Sequence, residues 1–214
     1  MLAGPDPNVG PADPTIRRDP QVRAAASSVV KVLTSSCDEH GVATGWVAGE
    51  GGIVVTNAHI VKGSKDDEIK VKVRGQGAAH AADTIWFDEL NDIAVLRATG
   101  IAGVPRLRTV DRLNLGTYVA ALGFPGGGPL WFTPGRMGND ARRVEADRTI
   151  SVMRVAGAGP GSSGGPVVDR HGRVVTTVYG PGAGSGVVYG VPLRFIRRGL
   201  RRAGTPVDTS RCAE

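Results

Sequence analysis

Hydrophobic residues in this chain fall into short, β-branched runs separated by turn-forming residues. The first run, Val29 to Leu33, predicts a strand that ends near Ser36. Further strands are predicted at 42–48, 53–56, 69–73, 79–87 and 93–97, which makes about six by residue 98. Hairpins at this spacing are typical of a β-barrel or a β-sandwich.

A second series of strands follows the glycine-containing linker 99–104. Its predicted members are 107–110, 118–122, 135–144, 149–154, 167–168, 173–179 and 186–191. The chain therefore reads as two successive β units of similar size, at 20–104 and 105–214, without a convincing residue-level repeat between them.

The two ends of the chain have different patterns. Residues 1–19 carry four prolines and few apolar residues, which predicts an extended, poorly packed linker. Asp19 and Pro20 then offer the cap and first position of a short helix that ends near Ser27. Residues 192–200 place apolar positions at helical spacing with arginines between them, which predicts a C-terminal helix.

Composition supports a folded, turn-rich β protein. The 214 residues are 41% hydrophobic and 21% charged, with 32 glycines and 14 prolines. No run of about 18 apolar residues is present, and the start does not resemble a signal peptide. We therefore expect a soluble chain, which is also compatible with its being the soluble part of a longer anchored or exported protein.

The net charge of +6 has a clear source near the C-terminus. The arginines there are Arg194, Arg197, Arg198, Arg201 and Arg202. Such a cluster can bind nucleic acid or an anionic membrane, or it can be the solvated face of a helix. Because no recognised binding motif surrounds it, we do not expect nucleic-acid binding.

Two cysteines, Cys37 and Cys212, are equally compatible with one disulfide or with two free thiols. Neither lies in a CxxC motif, and only four histidines are present. The sequence therefore predicts neither a metal site nor a cofactor.

The stretch Gly159–Pro166 places Ser162 and Ser163 among four glycines and two prolines. It reads either as a flexible linker or hairpin turn, or as a tight turn that presents a serine hydroxyl to a substrate carbonyl. In the second reading, neighbouring N–H groups point at the carbonyl oxygen.

Two further residues are candidates for the same chemistry. His59 follows a β-branched strand on small neighbours, where an imidazole can face a cleft or be a satisfied core histidine. Asp92 opens the apolar strand Ile93–Leu96, where its carboxylate either needs a charge partner or caps a turn.

Together, these blocks resemble the trypsin-like (chymotrypsin-fold) serine proteases. The matching segments are Thr56–His59, Asn91–Leu96 and Gly161–Pro166, in that family's order of His, Asp and Ser. Asp92 follows His59 by 33 residues and Ser163 follows Asp92 by 71, short intervals that are similar to the bacterial HtrA branch. The resemblance covers residues 28–200.

The resemblance implies an all-β fold of two six-stranded antiparallel barrels with a C-terminal helix. It implies that Ser163 attacks a peptide carbonyl, that His59 transfers the proton and that Asp92 orients His59. The backbone N–H groups of Gly161 and Ser163 would form the oxyanion hole.

The sequence also departs from the digestive members of the family. Ser162 stands where they carry the Asp that pairs with a newly cut N-terminus, so we expect no activation of that kind. Gly157 and Ala158 stand where trypsins have the acidic floor of the specificity pocket, which favours apolar or modest-sized substrate side chains. Other walls of the pocket are assigned to Tyr179, Gly180 and Gly186.

A closer resemblance is to the MarP family of membrane-anchored actinobacterial proteases. The Pro-rich opening, the placement of Cys37 and Cys212 and the lack of a PDZ-like segment carry this similarity. It implies a Cys37–Cys212 disulfide, which could regulate activity, and a periplasmic domain that follows transmembrane helices absent from this chain. It further implies a role in stress or acid resistance. We expect the domain to be a monomer and to act on protein or peptide substrates. The alternative is an inactive protease-fold binding protein.

Overall fold

The first β-branched series forms one curved antiparallel sheet. The computed structural model describes residues 7–36, 39–65, 68–143, 148–155, 159–182 and 186–211. The strands are β1 (Val29–Ser36), β2 (Glu39–Gly49), β3 (Ile53–Thr56), β4 (Lys70–Val73), β5 (His80–Ala81), β6 (Asp83–Asp88) and β7 (Ile93–Arg97). They lie in the order β5-β4-β1-β2-β3-β7-β6 around a valine-rich core.

The segment predicted as one strand at 79–87 bends at Ala82. Its first part, β5, pairs with β4, and its second part, β6, pairs with β7. The two edge strands of the sheet are therefore joined by a single residue, and the N–H of Ala82 donates to Ile69 O at 3.0 Å. The first unit, called the first barrel below, is therefore a seven-stranded half-barrel sheet rather than the six-stranded barrel predicted, because the bend at Ala82 divides one predicted strand into two.

The second series forms a closed barrel of six strands, as predicted. The strands are β8 (Tyr118–Gly123), β9 (Trp131–Arg143), β10 (Arg148–Val155), β11 (Pro166–Asp169), β12 (Val174–Pro181) and β13 (Val187–Val191). They close in the order β10-β13-β12-β11-β8-β9 around Met137, Met153, Val167 and neighbouring apolar residues. The chymotrypsin-type fold expected from the sequence is confirmed.

The strand predicted at 107–110 is wrong. Residues 107–110 cross between the two barrels, where the N–H of Leu107 donates to Val47 O and Thr109 makes one isolated bridge to Val174. Leu107 and Val110 are apolar, but the segment binds a different neighbour at each end and so does not pair as a continuous β-strand.

The prediction of a poorly packed linker is also wrong for residues 7–19. Ile16, in a 3₁₀ turn at Pro14–Arg18, has 0% exposure and belongs to the core shared by the two barrels. Val9 O accepts a hydrogen bond from Arg154 Nε at 3.1 Å, and Asp13 pairs with Arg170. Hydrogen bonds from Thr15 hold the pKa of Asp13 below its usual value. Proline has no backbone N–H to donate in a β-sheet, but a proline-rich segment can still pack against the core through its other side chains and carbonyl groups.

Helix α1 (Pro20–Ala25) begins at Asp19, whose side chain accepts from the N–H of Gln21, as the sequence predicts. Helix α2 (Ala58–Val61) is a single turn between β3 and β4 that the sequence did not predict. Among the residues described, no helix is long and apolar enough to cross a lipid bilayer.

Helix α3 (Leu193–Arg202) is the predicted C-terminal helix, and it packs Ile196 and Gly199 against the first barrel. Three of its arginines make contacts within the protein. Arg194 pairs with Asp140 at 3.0 Å, Arg197 donates to backbone carbonyls of Val110 and Asp111, and Arg202 stacks on Trp86. These contacts support a structural role for the arginine cluster.

Candidate active site

The pairing of β3 with β7 brings His59 and Asp92 together. Thr56 pairs with Ala94, so the residues that follow β3 and those that precede β7 meet at one end of the sheet. His59 lies in α2, and Asp92 lies in the turn before β7 with φ of 54°. Aspartate tolerates this left-handed backbone better than most residues, and the turn directs its carboxylate at α2.

Asp92 holds His59 through both its backbone and its ring. Asp92 Oδ1 accepts from the N–H of His59 at 2.9 Å, and His59 Nδ1 lies 3.0 and 2.9 Å from the two carboxylate oxygens. The Asp92 side chain is 4% exposed and that of His59 is 45% exposed. Because a carboxylate can only accept, it places the proton on Nδ1 and leaves Nε2 with a lone pair. Asn57 Nδ2 donates to Asp92 O at 2.9 Å and fixes the turn.

The turn that carries Ser163 is tied to both barrels. Ser163 O accepts from the N–H of Thr44 in β2 at 2.9 Å, and the N–H of Gly164 donates to Val178 O in β12 at 2.8 Å. Gly164 has φ of 81°, and a Cβ there would overlap Thr44 O. Only glycine fits this conformation and this approach.

Two backbone N–H groups of this turn have fixed orientations. Gly126 N–H donates to Pro160 O at 2.7 Å, and Gly165 N–H donates to Ser162 O at 3.0 Å. In a trans peptide the N–H points away from its C=O, so these bonds also fix the N–H groups of Gly161 and Ser163. Within the described part of the chain, neither of these N–H groups donates to a backbone acceptor.

Thr44 is a residue that the sequence analysis missed. Its buried Oγ1 donates to Gly161 O at 2.7 Å and accepts from the N–H of Phe124 at 3.1 Å. One side chain of the first barrel therefore positions the turn and the neighbouring loop of the second. A threonine beside Gly45 in an apolar strand is a weak signal, and it cannot reveal a contact 117 residues away.

Thr44→Val should lower kcat about tenfold or more with little change in KM, because the Gly161 carbonyl loses its donor and the oxyanion geometry loosens. Steady-state kinetics on a fluorogenic peptide measures this. Thr84→Val is the control, since its buried Oγ1 has no partner in the part of the protein described. An unchanged kcat in Thr44→Val would contradict a positioning role.

His59 and Ser163 line one cavity of about 450 Å³. The Tyr179 ring stands edge-on to the His59 ring, with centroids 6.0 Å apart and planes at 87°. The hydrogen bonds of the His59 ring within the described residues go to Asp92, and none joins it to Ser163. Such catalytic hydrogen bonds are commonly long before substrate binds.

The residues predicted for the specificity pocket divide into three groups. Tyr179 and Gly180 line the cavity. Gly186 is not among its described lining residues, and its carbonyl accepts from the N–H of Val155 at 2.8 Å. Gly157 and Ala158 lie outside the described residues, as do Cys37 and Cys212.

The cavity also contains charged residues that the sequence did not indicate. Lys62 Nζ lies 2.5 Å from Glu89 Oε1, and Arg148 lies over the Tyr179 ring. Across the described ranges, no group of three histidine, cysteine or acidic residues is arranged to hold a metal ion.

The fold and this site define a trypsin-like peptidase domain. The family model described as "Trypsin-like peptidase domain" matches residues 43–176, and the chain belongs to this family. Among its relatives is the serine protease Rv3671c (MarP) of Mycobacterium tuberculosis, 31% identical over 183 residues that cover 80% of this chain and 45% of the relative. The chain thus spans about half the length of the curated relatives it matches.

Other comparisons agree. A protein of Halomonas elongata, described as a probable periplasmic serine endoprotease of DegP-like type, is 31% identical over 141 residues, 64% of this chain and 29% of the relative. The crystal structure of the active form of the Rv3671c protease has a TM-score of 0.86 and 27% identity, and the match covers 100% of this chain and 96% of that one. The predicted relation to HtrA-type serine proteases is confirmed.

Proposed function

We propose that the chain is a serine endopeptidase that cleaves peptide bonds through a covalent acyl-enzyme. The observation that carries the proposal is the double contact of Asp92 with His59 in the cavity that Ser163 also lines. A buried carboxylate that fixes one ring nitrogen leaves the other free to accept a proton. Family membership supports the same activity.

In this mechanism Ser163 Oγ attacks the scissile carbonyl while His59 Nε2 takes its proton. The tetrahedral oxyanion accepts from the N–H groups of Gly161 and Ser163, each of which contributes about 10²–10³ in rate in comparable sites. His59 then donates its proton to the leaving amine, and water hydrolyses the acyl-enzyme by the same proton transfers in reverse. Asp92 stabilises the imidazolium throughout.

The finer assignments extend this proposal. A specificity pocket formed by Gly157, Ala158, Tyr179, Gly180 and Gly186, without a charged floor, would favour apolar or modest-sized side chains. Similarity to a probable periplasmic endoprotease of DegP-like type supports a location outside the cytoplasm. We also propose that the chain is the soluble domain of a membrane-anchored protein with a role in stress or acid resistance. We also propose the Cys37–Cys212 disulfide and a monomeric state.

Labelling with a fluorophosphonate, mapped by mass spectrometry, tests the proposal. We expect the reagent to modify Ser163, and Ser163→Ala to abolish both labelling and peptide hydrolysis because the nucleophile is gone. Ser162→Ala is the matched control, since the neighbouring serine should be dispensable. A wild-type protein that neither reacts nor hydrolyses peptides would contradict the proposal and favour an inactive binding protein.

A further inference from the structure

Arg148 is a cation in the candidate active site that has no role in the proposed triad chemistry. It is the first residue of β10, and its side chain lines the cavity shared by His59 and Ser163. Its guanidinium carbon lies 5.2 Å from the centre of the Tyr179 ring, and Tyr179 in turn contacts His59. Arg148 is thus one aromatic ring away from the reacting groups.

The charge pairs found among the described residues of the cavity do not include Arg148. Lys62 pairs with Glu89, and Asp92 is engaged by His59. Among the described residues, no carboxylate forms an ion pair with Arg148, and its Nε is buried without a hydrogen-bond partner. A carboxylate bound in the cavity would therefore gain a charge-assisted hydrogen bond from the outer N–H groups of this guanidinium.

Stacking on Tyr179 also prepares Arg148 for such a ligand. A guanidinium held over an aromatic ring is less mobile than a free one, so less rotamer entropy is lost when it binds a ligand. Its planar donors match the two oxygens of a carboxylate, which makes an acidic side chain the fitting partner.

The position of Tyr179 determines where along a substrate this partner would be. Val178 is bound to the turn that carries Ser163, called the nucleophile turn below, through hydrogen bonds with Gly164 and Gly165. β12 then continues through Tyr179 to Pro181 and lines the cavity as it leaves Ser163. An extended peptide advances about 3.3 Å per residue. Arg148, across Tyr179, would therefore contact a residue within about four positions of the scissile bond.

We propose that Arg148 forms an anionic subsite that selects substrates with an acidic side chain near the scissile bond, on the segment that lies along β12. The proposal rests on the proposed endopeptidase activity and names a substrate class for it.

The experiment compares paired peptides that carry Glu or its neutral isostere Gln at each of four positions on either side of the cleaved bond. At one position on the β12 side, we expect kcat/KM to be about tenfold higher for Glu, as is typical of a charge-assisted hydrogen bond. Arg148→Gln should abolish this preference, Arg148→Glu should reverse it, and Arg148→Lys should keep part of it. Added salt should weaken it.

Arg136 provides a matched control, because it lies on β9 beside β10 and does not line the cavity. Its guanidinium carbon lies 4.7 Å from the centre of the Tyr118 ring. Arg136→Gln should keep the preference for Glu. Fluorophosphonate labelling of Ser163 should also be unchanged in Arg136→Gln, because Arg136 lies outside the cavity.

Active enzyme without a preference for Glu, or a preference that survives Arg148→Gln, would overturn the subsite. Loss of labelling and of all hydrolysis in the wild type would instead contradict the endopeptidase itself. If Arg148→Gln fails to fold, the wild-type peptide series and Arg148→Lys still decide the question.

Discussion

Asp92→Asn is expected to lower kcat for peptide hydrolysis about 10⁴-fold, the size of effect seen when a triad carboxylate becomes an amide. The cause can be derived from the contacts of Asp92. Oδ1 accepts the backbone N–H of His59 at 2.9 Å, so an asparagine must keep its single oxygen there. Its NH₂ group then faces Nδ1, which has to accept, and the ring proton moves to Nε2. His59 can then no longer take the proton of Ser163.

The fold should survive this change, because asparagine tolerates the φ of 54° at least as well as aspartate. Thermal unfolding checks this point, and burst and steady-state kinetics measure the chemical step. Asp88→Asn is the control, since Asp88 accepts from Asn91 in the same turn without touching His59. A kcat within a factor of ten of wild type would show that Asp92 does not set the tautomer of His59.

Gly164→Ala is expected to abolish fluorophosphonate labelling of Ser163 and to lower the free energy of unfolding by about 3 kcal/mol. A Cβ at position 164 would overlap Thr44 O and Thr56 Oγ1, and the φ of 81° is itself unfavourable for alanine. The turn must therefore shift, which breaks the bonds from Thr44 to Ser163 O and from Gly164 to Val178 O. Urea unfolding and labelling rates measure the two effects separately.

Gly159→Ala is the matched control in the same turn. Among the described residues, a Cβ at Gly159 would meet nothing within 4 Å, so labelling and stability should stay near wild type. If Gly164→Ala reacts at the wild-type rate, the turn does not depend on its contact with β2.

Much of the fold and the three triad candidates could be predicted because the signals are local. Each strand up to Ile93–Leu96 is indicated by its own run of β-branched side chains. The motifs around His59, Asp92 and Ser163 are short and occur in the family's order along the chain. What escaped prediction depends on distant partners. The bend at Ala82 reflects two different pairing strands, and the packing of Ile16 depends on a core built by both barrels.

The supporting residues escaped prediction for the same reason. Thr44 is an ordinary strand residue until Gly161 and Phe124 are folded against it. Arg148 directly precedes the strand predicted at 149–154, and no local feature distinguishes it from Arg154. Its significance comes from the Tyr179 ring beside it and from the absence, within the described residues, of a carboxylate partner.

The hydrogen bonds that hold the nucleophile turn also determine when the protein can become active during its synthesis. The turn needs Thr44, which is made early, and Val178, which is made after Ser163 itself. Until both are folded, neither the serine nor the N–H groups beside it are held in place. A growing or partly folded chain would therefore be inert, and would not cleave itself or its neighbours before both barrels have folded.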